Sequence, residues 1–294
     1  MTASHPVFLL LGFASEYSLG AIANLLRNAG ENVFEVDFSI SEIPDLGDTE
    51  VVLITSQHPA RTSSIFRHGN ERASAYKRYL SPMECMQRFN VCCSVFIPHD
   101  LEQPIITDEI AYLSFFDIYC SPYEFNPGLS LLCTPLYTGW SKHVGIDTGE
   151  FTHQGIVARN GVFFVNQLID LMGHDGAKYL LDKYGVAVSH EVPFKFPNWP
   201  GVSNIEREME QTGALVIPAN TPSTQVIIHS AQVFSNTNGS VLAEAAYLGV
   251  PAHIIQPHAT ALPSPTPRGQ QRQPFNIQLL LQSIQNHINN SRIT

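Results

Sequence analysis

Val233-Phe-Ser-Asn-Thr-Asn-Gly-Ser-Val-Leu-Ala-Glu-Ala-Ala-Tyr-Leu-Gly-Val-Pro251 decides how the chain is read. A short apolar run gives way to polar residues, and apolar text at helical spacing resumes after Gly239. The pattern predicts a strand over 232–235, a helix over 239–248 and a strand over 251–255, with Gly249 and Pro251 ending the helix. A helix that opens just after a strand presents N–H groups without intrahelical acceptors and the positive end of its dipole, a combination that attracts phosphate. Gly239 lets a ligand approach the backbone, and Ser240 adds a hydroxyl. Glu244 stands one turn further on, where its carboxylate can accept hydrogen bonds from a ribose or sugar.

The same alternation runs outward from this unit. Val7-Phe-Leu-Leu-Leu-Gly12 is a continuous apolar run, as expected of a parallel strand buried on both faces. Helical text over 18–29 is closed by Gly30, and strands are predicted over 33–38, 51–55, 91–98, 118–121 and 131–136. Helices are expected over 74–89 and 107–116. Residues 139–161 lack periodicity. A second series then opens at 162–165, with a helix over 167–184 and strands over 186–192 and 214–217. Helices are expected over 205–211, from Thr221 as N-cap with Pro222 at the first helical position, and over 275–288. The Pro-rich 193–200 is read as irregular, and 257–274 as a mobile loop. Strands alternating with helices imply right-handed crossovers and parallel sheets. The expected fold class is therefore α/β with two Rossmann-like domains. A first domain spans 1–140, a linker 141–161 and a second domain 162–294.

Bulk properties narrow the function. Charged residues are 14% of the chain and hydrophobic ones 44%, which excludes disorder through charge excess. The net charge of -10 argues against nucleic acid and anionic membranes as partners. Six basic residues between Arg61 and Arg88 form the one local exception, readable as a solvated helix face or as a patch for phosphate. Cys85, Cys92, Cys93, Cys120 and Cys133 include no CxxC and read as reduced core thiols. The apolar start of the chain reads as a strand rather than a signal peptide, and no apolar run is long enough to span a membrane, so the expected location is the cytoplasm. The twelve histidines show no HExxH and no pair at helical spacing, and no metal site is expected. GxGxxG, GxSxG and Walker loops are absent.

The segment 231–251 resembles the donor-binding segment of GT-B glycosyltransferase-like proteins, above all the CDP-glycerol glycerophosphotransferases, the capsular polysaccharide transferases and the UDP-N-acetylglucosamine 2-epimerases. Their pattern pairs a Ser/Gly step with Glu-Ala and Leu-Gly-x-Pro. Here it reads Asn238-Gly239-Ser240, Glu244-Ala245 and Leu248-Gly249-Val250-Pro251. Where those families carry an Asp before the Ser/Gly pair, this chain has Asn236 to Asn238. Where they carry Lys-x-His-Pro, it has Lys195-Phe196-Pro197.

The resemblance implies a GT-B-like transferase that moves a sugar or alcohol-phosphate from a nucleotide-linked donor to a carbohydrate or other hydroxyl acceptor. No cofactor is expected beyond the donor itself. Asn238, Gly239, Ser240, Glu244, Lys195 and Arg268 are the expected donor-binding residues. Catalysis is expected from His99 as general base, with Asp100 beside it and Glu16 in the loop after the first strand. Two bland readings stand beside these roles: His99 as a loop residue paired with its neighbour, and Arg268 as a solvated charge. A non-catalytic nucleotide-binding or sensor module and a UDP-sugar epimerase remain alternatives, and a homodimer is an open expectation.

Overall fold

In a computed structural model, the described residues are 5–12, 19–37, 44–56, 82–98, 113–122, 133–142, 160–165, 178–180, 192–197, 202–236, 240–255 and 274–292. The chain divides into two compact units: Met1–Gly145 together with Gln273–Thr294, and Ile146–Arg272.

Among the described residues, the first unit is built on six parallel strands: β1 (Val7–Gly12), β2 (Val33–Asp37), β3 (Glu50–Thr55), β4 (Asn90–Phe96), β5 (Ile118–Ser121) and β6 (Thr134–Tyr137). Their order is β2-β1-β3-β4-β5-β6. Helices α1 (Leu19–Asn28) and α2 (Pro82–Arg88) belong to this unit. The apolar run of β1 is buried on both faces, as its sequence requires. Leu10 joins Leu19, Ile22 and Leu26 of α1 on one side, whereas Leu9 and Leu11 join Cys85 and Phe89 on the other. All five cysteines are free thiols, four of them buried. Burial pushes Cys85 and Cys120 up to about 12, so neither is a ready nucleophile.

Among the described residues, the second unit carries five parallel strands: β7 (Val162–Phe164), β8 (Phe194–Lys195), β9 (Val216–Ile217), β10 (Val233–Ser235) and β11 (Ala252–Ile254). Their order is β11-β10-β7-β8-β9. Helices α3 (Val202–Gln211), α4 (Ser223–Ile228) and α5 (Ser240–Tyr247) alternate with these strands. Two parallel sheets with helices between their strands are the pair of Rossmann-like halves expected from the sequence.

Three local features differ from the expectations. Phe194–Lys195, read as irregular, is a buried strand paired on both sides. The cap of α4 is Pro222 rather than Thr221, and it makes no side-chain hydrogen bond. The last helix, α6 (Ile277–Ser291), belongs with the first unit rather than the second. Its buried Leu280, Ile284 and Ile288 pack with Phe8, Leu10 and Leu26 in the core of the first unit. Asn276 caps this helix by accepting from the Leu279 N–H at 3.0 Å, and its own N–H reaches the Thr138 carbonyl at 2.7 Å. An ion pair between Arg292 and Glu50 ties down the far end. The expected second-domain range of 162–294 thus ends earlier, at Arg272.

Gly161 opens the second sheet with φ of +136°, a conformation side-chain-bearing residues rarely adopt. A Cβ there would lie 2.9 Å from Gln232 Cγ and 3.0 Å from the Gln232 carbonyl oxygen. The same carbonyl accepts the Val162 N–H that begins the β7–β10 pairing. Gly161→Ala is therefore expected to destabilise the second unit by about 2–3 kcal/mol. Urea unfolding of the variant checks this, and an unchanged midpoint would contradict it.

Candidate functional site

The site is set by strand order. In the second sheet the chain starts at β7, moves outward through β8 and β9, then returns to the opposite side of β7 as β10. The reversal lies between β7 and β10. At such a point the two neighbouring connections leave in opposite directions and open a crevice at the carboxyl ends of the strands, where open α/β sheets bind ligands.

Register places one row of residues at that edge: Ile254, Ser235, Phe164, Lys195 and Ile217, in sheet order. Ser235 and Asn236 are both buried at the end of β10. Residues 237–239 lie outside the described set, and α5 begins at Ser240. Because β10 and β11 are parallel, α5 must run back along the sheet, which leaves its first turn at the carboxyl edge beside the reversal. Its far end closes as the sequence predicts. Val250 N–H reaches the Ala245 carbonyl and Gly249 N–H the Ala246 carbonyl, with Gly249 at φ +76°. This is a Schellman closure, and it fixes where the helix stops and β11 starts.

Of the expected donor residues, Asn238 and Gly239 fall outside the described residues, as does Arg268. Glu244 lies one turn into α5 and is 3% exposed, between the buried Ala243 and Ala245. Lys195 is on the same register row as Ser235 but two strands away, about 10 Å across the sheet. It is 1% exposed, and its ammonium donates to the carbonyls of Phe196 and Ala219, both at 2.9 Å. Burial lowers its pKa from 10.5 to about 8, while the Glu206 carboxylate pulls the other way. Glu206 in turn accepts the Ala219 N–H at 2.6 Å, and burial raises its own pKa. Lys195 and Glu206 therefore grip the backbone of Ala219 from both sides and fix the turn after β9. Sequence reasoning missed Glu206, because nothing local links a helical glutamate to a strand lysine. It also gave Ser235 no role, since which strand adjoins the reversal is a non-local property.

In the first unit the reversal lies between β1 and β3. The Thr55 hydroxyl donates to the Leu11 carbonyl at 2.9 Å there, which ties the two strand ends together. Glu16 follows β1 in sequence, and His99 and Asp100 follow β4, but all three lie outside the described residues. No helix among the described residues is long and apolar enough to cross a membrane.

No family model matches the chain, and no curated protein matches it. Among solved structures it is similar to a candidate UDP-N-acetylglucosamine 2-epimerase from Listeria monocytogenes. The identity is 13%, with 98% of this chain and 89% of that one covered and a TM-score of 0.48. It is also similar to the Methanocaldococcus jannaschii UDP-GlcNAc 2-epimerase in complex with UDP-GlcNAc and UDP, at 10% identity, covering 97% and 93% of the chains with a TM-score of 0.47. A third is the glycosyltransferase SnogD from Streptomyces nogalater, at 12% identity over 85% and 81% of the chains, TM-score 0.39. These likenesses are distant, and the fold class stands on the order and direction of the strands in the two sheets.

Proposed function

We propose that the second unit binds the diphosphate of a nucleotide-linked donor at the first turn of α5, and that the protein transfers a sugar or alcohol-phosphate from that donor to a hydroxyl acceptor. The observation that carries this reading is the coincidence of the β7/β10 reversal with the start of α5. A diphosphate there meets N–H donors and the positive end of a helix dipole without any side-chain charge having to be desolvated. In the reaction these groups stabilise the negative charge that collects on the leaving diphosphate as its bond to the transferred group breaks.

Asn238, Gly239 and Ser240 supply the phosphate contacts, Glu244 accepts from the ribose or sugar hydroxyls, and Arg268 approaches the phosphates. Lys195 acts by position, holding the turn after β9 in place. On the acceptor side His99 takes the proton of the attacking hydroxyl, supported by Asp100, and Glu16 orients the acceptor. Free thiols at all five cysteines suit a reducing compartment such as the cytoplasm.

Calorimetric titration with UDP, CDP, GDP and their sugar or alcohol derivatives tests the reading. Saturable binding of one nucleotide family per chain is expected, and failure of every nucleoside diphosphate to bind would overturn it. Lys195 is the residue that stands nearest to the families' Lys-x-His-Pro, and its committed ammonium favours a second reading, a binding module without turnover. Incubation of the bound donor with acceptors separates the readings. A transferase releases nucleoside diphosphate only when an acceptor is present, an epimerase isomerises the sugar without one, and a binding module returns the donor intact.

A further inference from the structure

Far from the start of α5 in sequence, three side chains with metal-ligating chemistry converge inside the first unit. Cys93 comes from β4, Asp117 from the residue before β5 and His287 from α6. One ligand atom of each lies within 4.8 Å of the other two. The thiol is buried, whereas the carboxylate and imidazole above it are each about one-third exposed, at 37% and 30%. The cluster thus has an interior sulfur and a solvent-facing side.

The geometry within the cluster is particular. Asp117 Oδ2 is occupied, accepting the Ser94 N–H at 2.7 Å and the Ser94 hydroxyl at 2.8 Å. These two bonds fix the carboxylate plane and leave Oδ1 directed at His287 Nε2, 3.4 Å away. That separation is long for an N–H···O hydrogen bond. It equals the edge of a coordination tetrahedron, since two ligands bound at about 2.0–2.1 Å are about 3.3–3.4 Å apart. Hydrogen bonds that orient a ligating carboxylate through its other oxygen are the usual outer shell of a metal site.

We propose that Cys93, Asp117 and His287 bind a zinc ion, with water completing a tetrahedron on the exposed side. Sulfur, nitrogen and one carboxylate oxygen select zinc over calcium or magnesium, which take oxygen ligands alone. The ion joins α6 to the neighbouring strands β4 and β5, so its effect is to clamp the last helix to the first sheet. Spacing along the chain carries no hint of it, because the ligands at 93, 117 and 287 are separated by 24 and 170 positions. The proposal is independent of the nucleotide reading and survives its failure.

Cobalt(II) added to the full-length protein tests it first. A thiolate-to-cobalt charge-transfer band with tetrahedral ligand-field bands is expected, and Cys93→Ser abolishes the charge-transfer band. Absence of that band in the wild type, or its persistence in Cys93→Ser, would overturn the proposal. The second test avoids altering the core. Zinc at about a hundredfold excess over its dissociation constant raises the melting temperature of the wild type by about 5–10 °C. In His287→Gln, a change at a part-exposed position, the rise falls below about 1 °C. Equal zinc-dependent shifts in the two proteins would refute the site.

Discussion

Ser240→Asp is expected to weaken binding of a nucleoside diphosphate by about a hundredfold while leaving the fold intact. Ser240 is the first residue of α5, and a carboxylate there lies beside the anion the helix start is proposed to hold. Two unit negative charges about 5 Å apart, at the effective dielectric of a partly buried site, repel by about 3 kcal/mol. Salt screening brings this nearer to the 2.7 kcal/mol that corresponds to a hundredfold. The same substitution favours the helix itself, because a negative charge in the first turn stabilises the dipole by about 0.3–1 kcal/mol. Loss of affinity without loss of melting temperature therefore separates an anion site from a mere helix cap. Ser240→Ala removes only a neutral hydroxyl and costs about tenfold or less. Calorimetry and thermal unfolding on the three proteins check both statements. An Asp variant that binds as tightly as the wild type contradicts the account.

Lys195→Met has the largest expected effect on stability, about 3 kcal/mol at neutral pH. It leaves the Phe196 and Ala219 carbonyls without the ammonium that now serves them, in a place where Phe196 is 1% exposed. It also removes the charge that faces Glu206. Stranded carbonyls cost about 1–3 kcal/mol each, partly offset because the buried charge disappears with them. The pH dependence follows from the lowered pKa. An unfolded lysine keeps its proton to about 10.5, the native one only to about 8. Between those values the unfolded chain binds more protons, so the native state gains stability as pH rises, by about 1.4 kcal/mol per pH unit. Below pH 8 the full cost of burying the charge is present. The neutral amine still has two N–H groups for its two carbonyls, so the clasp survives deprotonation. The gap between wild type and Met variant accordingly widens from pH 8 to pH 10. Urea unfolding at pH 7, 8 and 9.5 measures it, and a gap that is flat or narrows with pH contradicts this assignment.

What could be read along the chain depended on how local its physical cause is. The runs 7–12 and 118–121 were legible to the residue, because a strand buried on both faces carries no charged side chain and is apolar along most of its length. The end of α5 was legible too, since Gly249 carries its own conformational demand. Phe194–Lys195 was not. Prolines at 193 and 197, with only three residues between them, argue against a strand, yet Pro193 needs only its carbonyl, which accepts from Phe163 N–H at 2.9 Å. The missing N–H of proline is not called upon there. The periodicity of α6 was plain, but which sheet it covers was not, because an apolar stripe of Leu280, Ile284 and Ile288 fits any apolar surface. In the same way the opening of a helix near Ser240 was visible from Gly239-Ser240, whereas the strand reversal beneath it depends on the order β11-β10-β7-β8-β9, which no local signal encodes. The Lys195–Glu206 grip on Ala219 is a three-body arrangement of distant residues and has no signature in sequence.

Backbone amide chemical shifts of Ser240, Val241 and Leu242, followed in isotopically labelled protein during titration with the best-binding nucleoside diphosphate, bear on the central claim most directly. Large, saturable shifts are expected at these amides with the same dissociation constant as calorimetry, and no comparable change for the free nucleoside without phosphates. Nucleotide binding that leaves these three amides unmoved would contradict it.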